Sequence, residues 1–405
     1  MQPVPNDPLS IPVVNTVSQP LSFSTMFYSA RLRGLLSQAF VLILLGWGLY
    51  TIVANTQLNL KRLNQNFGFD FLNNAAGFDI LSSLISYSSS STYGRALLVG
   101  FWNTLLVSAL GIVFATSIGF VAGIMRLSKN AVVSGAAAIY VDVVRSIPLL
   151  LQIFMWYALV LKPLPGPKQA YQFFNTLFIS NRGVIMPRPE FGDGAIWALV
   201  LLGGAIVASF FLLRYAKKKQ ELTGQRLPAG WISFAMIITA PLLGLLVVGW
   251  PLTWDMPALS GFNFSGGMTL IPEFLALLLA LSVYTGTFIT EIVRAGIQSV
   301  NRGQTEASQA LGLNQSVALR LVVIPQALRV IIPPLANQFL NLTKNSTLAI
   351  AIGFPDLVAA GGTILNQSGK AVEIVMVWMV IYLSLSLITS AFMNWYNSRM
   401  KLVTR

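Results

Sequence analysis

The chain has 405 residues, 55% hydrophobic and only 10% charged, with a formal net charge of +13. A soluble domain carries about 25% charged residues, so this composition belongs to an integral membrane protein. Cysteine and histidine are both absent, which removes disulfides, zinc or haem ligation and every Ser-His or Cys-His nucleophile pair, and argues against hydrolytic or metal-dependent chemistry.

Residues 1–36 are polar and rich in Pro and Ser ("QPVPNDPLSIPVV"), with Arg31 and Arg33 directly before the first apolar run. They lack the short basic start and small-residue cleavage site of a secretory signal, and read as a flexible cytoplasmic tail. A membrane span needs about 20 mostly apolar residues, and eight segments qualify. The first is 37–54; the second lies within 97–125 and the third within 135–161; the fourth and fifth are 195–213 and 232–250. The sixth covers about 270–290, the seventh lies within 330–362, interrupted by Asn337, Asn341 and Lys344, and the eighth spans about 372–395.

Eight spans put both termini on one side. With that side cytoplasmic, the inner segments hold 16 Lys and Arg against 8 in the outer ones, with Arg145 and Lys344 inside helices. The bias satisfies the positive-inside rule and makes the basic residues topology signals rather than a nucleic-acid surface. The cluster "RYAKKKQELTGQR" then becomes a short cytoplasmic turn between spans four and five. It reads first as a topology anchor, with a lipid-headgroup or nucleic-acid site as the other readings. Segments 55–96 and 163–194 are long enough for a small external face.

Between spans six and seven lies "TEASQALGLNQSVALRLVVIP", Thr305 to Pro325. Gly303 and Thr305 can start a helix with Glu306 in its first turn, and Gly312 supplies a stop. Asn314 can cap a second helix from Gln315 to about Val323, whose continuation Pro325 resists. Helices this short are marginal alone. Ala307, Ala310 and Leu311 share one face, so the pair is either a docking element or a loop packed on its own bundle.

Polar groups at membrane depth usually face a cavity or another helix. Asn337, Asn341 and Lys344 stand at i, i+4, i+7, followed by Asn345. They line a solute pathway or make interhelical hydrogen bonds, with the Lys reaching the interface. Asp142 with Arg145, and Glu291 with Arg294, repeat an i, i+3 spacing that suits structural ion pairs, although Arg145 could instead hold a substrate carboxylate. Tyr284 and Thr287 add polar groups to the sixth span.

Glu306-Ala307-Ser308, three residues, Gly312, nine residues, then Val322-Val323-Ile324-Pro325 resembles the EAA loop of ABC-importer permeases, E-A-A, three residues, G, nine residues, I-x-L-P. Ser308, Val322 and Ile324 depart from it conservatively. Segments 100–128, 140–159, 291–313, 325–349 and the final span look like the polar amino acid permeases, although Arg145-Ser146-Ile147-Pro148 departs from their usual R-G-T-P. The likeness covers about 97–400 except 163–268. Typical members have five spans. This chain adds one before the core, at 37–54, and a two-helix hairpin (about 195–213 and 232–250) within the inserted segment 163–268, a plan similar to permeases of acidic and general L-amino acid uptake.

The resemblance implies an all-α polytopic fold of the type I ABC importer permease, with its transmembrane domain over 97–397, in a bacterial inner membrane. It implies that Glu306, Ala307, Ser308, Gly312 and Pro325 belong to a loop coupled to a cytoplasmic ABC ATPase dimer that uses ATP with Mg. A second permease, identical or sister, and a periplasmic amino-acid-binding protein complete the expected assembly. The chain has no P-loop of its own: at its one Gly-Lys pair, Gly369-Lys370, the required first glycine is Ile364 and the following residue is Ala371. No cofactor is therefore expected on this chain, and no enzymatic activity. A permease for another solute, or a secondary transporter, are the competing readings. The second lacks support, since few acids lie deep in spans, no internal repeat is evident, and the EAA-like loop has no purpose there.

Overall fold

The computed structural model describes residues 30–62, 67–192, 196–225, 227–247, 249 and 252–400. Residues 1–29 of the expected tail, Arg226 of the basic turn, and Lys401 and Arg405 lie outside them. Among the described residues seven helices are long and apolar enough to cross a membrane, or eight counting one bent pair, as the composition required. The chain divides into two units, residues 1–69 and 70–405.

Among the described residues the first unit holds one helix, α1 (Ala30–Arg62). Its membrane-compatible stretch, Arg33–Asn59, is longer than the expected 37–54. Leu42, Ile43, Leu44 and Leu45, which point successively around the axis, are all exposed, so the helix is apolar around its whole circumference, as lipid requires.

The second unit is built on two long helices, α2 (Tyr93–Arg126) and α7 (Pro272–Gln298). They approach closely because small residues of α2 meet branched ones of α7. A Cβ on Gly123 would stand 2.8 Å from Cβ of Val293, and one on Gly119 would collide with the Ile289 side chain. Ile289 and Val293 are fully buried, with Leu277, Leu281, Ile331 and Leu342. Gly296 repeats the device against Ile331 of α10 (Ile324–Asn345). Small residues are how membrane helices gain packing when lipid removes the hydrophobic drive between them.

The third span is not one helix. α3 (Ala131–Ser146) stops before Pro148 and α4 (Leu149–Phe154), continued by π-wound Met155–Leu161, leaves at 104°. Proline disfavours helical geometry in the residue before it, and Ile147 is extended (φ −95°, ψ 125°). The freed carbonyls of Val144 and Ile147 accept from Nε2 of buried Gln152, at 2.8 and 2.9 Å.

The seventh span also differs, running over Gln315–Ile352 rather than within 330–362. α9 (Gln315–Ala318) passes into a π turn over Leu319–Val323, then α10, then a 3-10 turn over Ser346–Ile352 that ends at Gly353 with φ 78°. Pro325 does not stop the helix. In the π turn the Ile324 N–H donates to Leu319, so the ladder is already shifted where proline has no donor to give. α11 (Leu357–Ser368) is a separate short helix, capped by buried Asp356 and lying on α2, where a Cβ on Gly100 would meet the Asp356 carbonyl at 2.7 Å. The last span is α12 (Ala371–Met400).

The inserted segment contains strands that were not anticipated. β1 (Tyr171–Phe173), β2 (Leu177–Ser180) and β3 (Gly183–Met186) form an antiparallel sheet closed by β8 (Met268–Leu270), with Val184 opposite Leu270. β4 (Arg188–Phe191) pairs with β5 (Leu252–Asp255), and β6 (Ala258–Ser260) with β7 (Asn263–Ser265). At three or four residues, none is long enough for alternation to register. Between them rises the expected hairpin, α5 (Ile196–Thr223) and α6 (Ala229–Val247).

The α2–α7 contact yields the first test. Gly119→Leu forces a side chain into Ile289 and is expected to destabilise the detergent-solubilised protein by about 1–3 kcal/mol, the usual cost of overpacking. Gly135→Leu, where the surrounding space is open, is the control. Equal melting temperatures for the two variants would refute the close-packing account.

Candidate functional site

The loop after α7 is organised by its caps. α8 (Arg302–Ala310) begins one turn earlier than expected, capped by Asn301, whose side chain accepts from the Gly303 N–H at 2.9 Å. Glu306 therefore lies beyond the first turn, where a carboxylate gains little from the helix dipole. Gly312, at φ 73°, ends the helix. The Leu313 N–H returns to the Ser308 carbonyl and the Gly312 N–H to that of Gln309, at 3.1 and 2.9 Å. This pair of bonds is the Schellman arrangement, which favours glycine because the backbone is left-handed. Asn314 then caps α9 by accepting from Val317 at 2.9 Å.

These caps decide which side of α8 is free. Ser308 is buried and donates to the Gln304 carbonyl, while Gln326 bonds Gln304 at 3.2 Å, so the helix lies against the base of α10. Glu306, Ala307, Ala310 and Leu311 are exposed. The loop thus packs on its own bundle by one face and presents small residues and one carboxylate on the other.

Directly above it, the ends of α2 and α7 are tied together. Glu291 accepts from Arg294 at 2.8 and 2.9 Å and pairs with Arg126 at 3.3 Å, and Arg294 also donates to Gln298 at 2.7 Å. The second sequence pair, Asp142 with Arg145, does not form. The Arg145 guanidinium instead lies 4.5 Å over the Phe288 ring, which meets Tyr284 edge-on at 5.1 Å. Arg145 is exposed and directly precedes the broken-span bend.

On α10, Asn337, Asn341 and Lys344 are exposed and Asn345 is half-buried, while Ile331, Ile332, Leu335 and Leu342 fill the core side. The polar stripe therefore faces away from this chain's own core. Asn337 borders a small cavity of about 140 Å³ shared with Ser390 and Asn394 of α12. Thr287 is placed differently from expectation. It is fully buried and donates to the Tyr284 carbonyl at 2.7 Å, so its hydroxyl serves its own helix.

Two further elements were not singled out from sequence. Gln152 holds the broken span, and Tyr157 donates to Glu273 at 2.7 Å with Lys162 over its ring at 5.1 Å, at the opposite end of α7 from Glu291. A glutamine four residues after Pro148 was the available signal for the first. The second joins residues more than a hundred positions apart, and nothing local marks it. Among the described residues no group of three or more acidic side chains could hold a metal ion.

Residues 223–402 match the family model described as binding-protein-dependent transport system inner membrane component. The chain is 52% identical over 384 residues to the general L-amino acid transport system permease protein AapQ of Rhizobium johnstonii, covering 95% of this chain and 96% of that one. It is 41% identical to the glutamate/glutamine/aspartate/asparagine transport system permease protein BztB of Rhodobacter capsulatus, over 94% and 97% of the two chains. Similarity to the glutamate/aspartate import permease protein GltJ of Escherichia coli is lower, 26% over 70% of this chain and 78% of that one.

The cap geometry makes a local prediction. Gly312→Ala places a Cβ on a left-handed residue at a cost of about 1–2 kcal/mol, with open space around it, so the penalty is purely conformational. Limited proteolysis should cut the 302–313 loop faster in that variant, whereas Gly312→Asn, which tolerates the conformation, should behave almost as wild type. Equal cleavage of all three would contradict the capping account.

Proposed function

The chain belongs to the amino acid permeases of ABC importers, the inner-membrane components of binding-protein-dependent transport systems, and on that premise we propose that α8 is its coupling element. It is an integral, multi-pass membrane protein and the permease subunit of an amino acid importer. In the proposal, α8 docks on a cytoplasmic ABC ATPase that hydrolyses ATP with Mg, while a periplasmic binding protein delivers the amino acid and a second permease, identical or sister, completes the pathway. Both termini are cytoplasmic in this arrangement, consistent with the distribution of Lys and Arg.

One observation carries the coupling role. The second half of the motif is the beginning of the seventh span, joined to it through the π turn without a break, and α8 is locked to that start by the Gly312 cap. A push on the exposed face of α8 is therefore delivered to α10, and through Glu291 and its two arginines to α2 and α7. ATP-driven closure of the partner would bias a two-state rocking of the bundle, the ordinary form of such switches. This chain supplies positioning and a path, while ATP supplies the driving force through its partner.

The substrates proposed are polar, acidic and neutral L-amino acids, the classes in the names of AapQ and BztB. Their shared carboxylate suits Arg145, the exposed cation beside Phe288 and Tyr284, or Lys344. The amides of Asn337, Asn341 and Asn345 offer donors and acceptors along one stripe. Thr287, buried and already donated, is left out of this set.

Gly312→Asp retains a residue that tolerates the left-handed backbone but adds a carboxylate at the docking face. With Glu306→Ala, it is expected to leave membrane insertion intact and to lower substrate-stimulated ATP hydrolysis in the reconstituted assembly by about an order of magnitude, the effect of losing roughly 1.4 kcal/mol of docking energy. Normal uptake and normal assembly in Gly312→Asp would rule out the coupling role. Asn341→Leu and Lys344→Ala should change amino acid uptake kinetics or specificity, and unaltered transport in both would remove the polar stripe from the pathway.

A further inference from the structure

The turn between the seventh span and α11 buries an acid that the transport reading does not use. We propose that Asp356 is a proton-binding site, which holds together the end of the bundle opposite α8 when it is neutral and loosens that end when it is charged. The site is formed within this chain alone and is independent of the solute carried.

Several parts of the chain meet at this turn. The seventh span ends in the 3-10 turn Ser346–Ile352, Gly353 takes a left-handed backbone, and α11 starts after Asp356. The Asp356 carbonyl stands against Gly100 of α2, where a Cβ would lie 2.7 Å from it. One turn along α2, Asn103 donates from Nδ2 to the carbonyls of Pro355 and Ser82, at 2.9 and 2.8 Å, tying the turn to the segment before α2 as well. The Leu357 N–H donates to Thr104 Oγ1 at 3.1 Å, and the Trp378 indole of α12 donates to the Leu357 carbonyl, also at 3.1 Å. Whatever strains Asp356 is therefore felt by α2, α11, α12 and the end of the seventh span together.

The carboxyl group itself is only half satisfied. Asp356 is 0% exposed; it accepts the Ala359 N–H on Oδ1 at 2.8 Å, while Oδ2 has no hydrogen-bond partner among the described residues. The Tyr382 hydroxyl of α12, beside Thr104 and Ser346, is the titratable group that acts on it, and that oxygen too is buried and unbonded among the described residues. Formal charges on the surrounding elements stand apart. Asp79 and Lys344 are exposed, Arg95 is held by Ser86 and Glu273 by Tyr157, and the Lys370–Glu373 pair lies past the far end of α11, about 18 Å along the helix. A carboxylate stripped of water, with one oxygen unbonded and no cation against it, is costly to keep charged. Burial accordingly raises the Asp356 carboxyl from its ordinary 3.8 to about 7, against the lowering effect of the Ala359 and Val358 N–H groups. The native packing disfavours the ionised form and the unfolded chain does not, so the stability contributed is complete below about pH 4 and is lost as pH rises through about 7. A helix cap alone needs one acceptor oxygen, which asparagine supplies equally, and does not need an acid whose second oxygen is sealed in.

The test uses the full chain in nanodiscs. Infrared spectra of wild type should show the carbonyl band of a protonated, buried carboxylic acid at about pH 5 that is gone by about pH 9. The band should persist in Glu373→Gln, which removes the other fully buried acid among the described residues, and should be missing from Asp356→Asn. The melting temperature of wild type should fall by several degrees over the same pH range relative to Asp356→Asn, which keeps the cap and cannot ionise. No titrating band in wild type, its loss in Glu373→Gln with retention in Asp356→Asn, or an equal fall in melting temperature in wild type and Asp356→Asn would each overturn the proposal. If Asp356→Asn fails to insert, the infrared titration of Glu373→Gln decides the matter, since Asp356 is then the remaining fully buried acid among the described residues.

Discussion

The close approach of α2 and α7 is the contact on which the rest of this molecule depends. In lipid, helices gain nothing by hiding apolar side chains from one another, so association rests on fitted van der Waals surfaces. Gly119 and Gly123 provide the recess into which Ile289 and Val293 fit. Gly286 extends it by admitting the Tyr140 hydroxyl from α3, which donates to Val283 at 2.7 Å. Once α7 is seated, its two ends become fixed points. One emerges from β8 with Glu273 bonded to Tyr157, and the other carries Glu291 and leads directly into α8.

A second constraint acts on the backbone. Inside a membrane each freed N–H or carbonyl needs a protein partner, so a span can depart from a regular helix only where something replaces the lost bonds. At the two prolines that interrupt the expected spans, the replacement can be named. At Pro148 the span bends through 104°, with the Gln152 amide serving two carbonyls. At Pro325 the π turn over Leu319–Val323 shifts the ladder before the missing donor is reached. The first bend leaves Arg145 at a corner beside Phe288. The second leaves the helix unbroken, and that continuity makes α8 an arm of the seventh span.

Much of this was legible from residue order. The apolar runs located the spans, though the fourth extends past its expected end and the seventh begins before its expected start, because lipid demands about 20 apolar residues and tolerates few charges. Gly312 was readable as a helix stop because its role is local. Errors arose where a local rule met a neighbour. Pro148 and Pro325 look alike in sequence, yet one bends the chain and the other does not, since the outcome depends on what supplies the missing bonds. Asp142 and Arg145 have the spacing of an ion pair, but the Phe288 ring, far off in sequence, holds the arginine instead. The strands of the inserted segment escaped notice because β3 finds β8 across some eighty residues, and three-residue strands carry no period of their own.

The sequence by itself determined that the chain spans a membrane, that its one Gly-Lys pair lacks the P-loop spacing, and that a small-residue element with its own helix stop follows Glu306. Composition, missing residue types and fixed spacing are properties of the chain, and folding does not alter them. Only the tertiary structure decided which face of α8 stays free, that Thr287 is spent within its own helix, and that the Asn337, Asn341 and Lys344 stripe turns away from the core. Each of these is a relation between surfaces that only packing brings together.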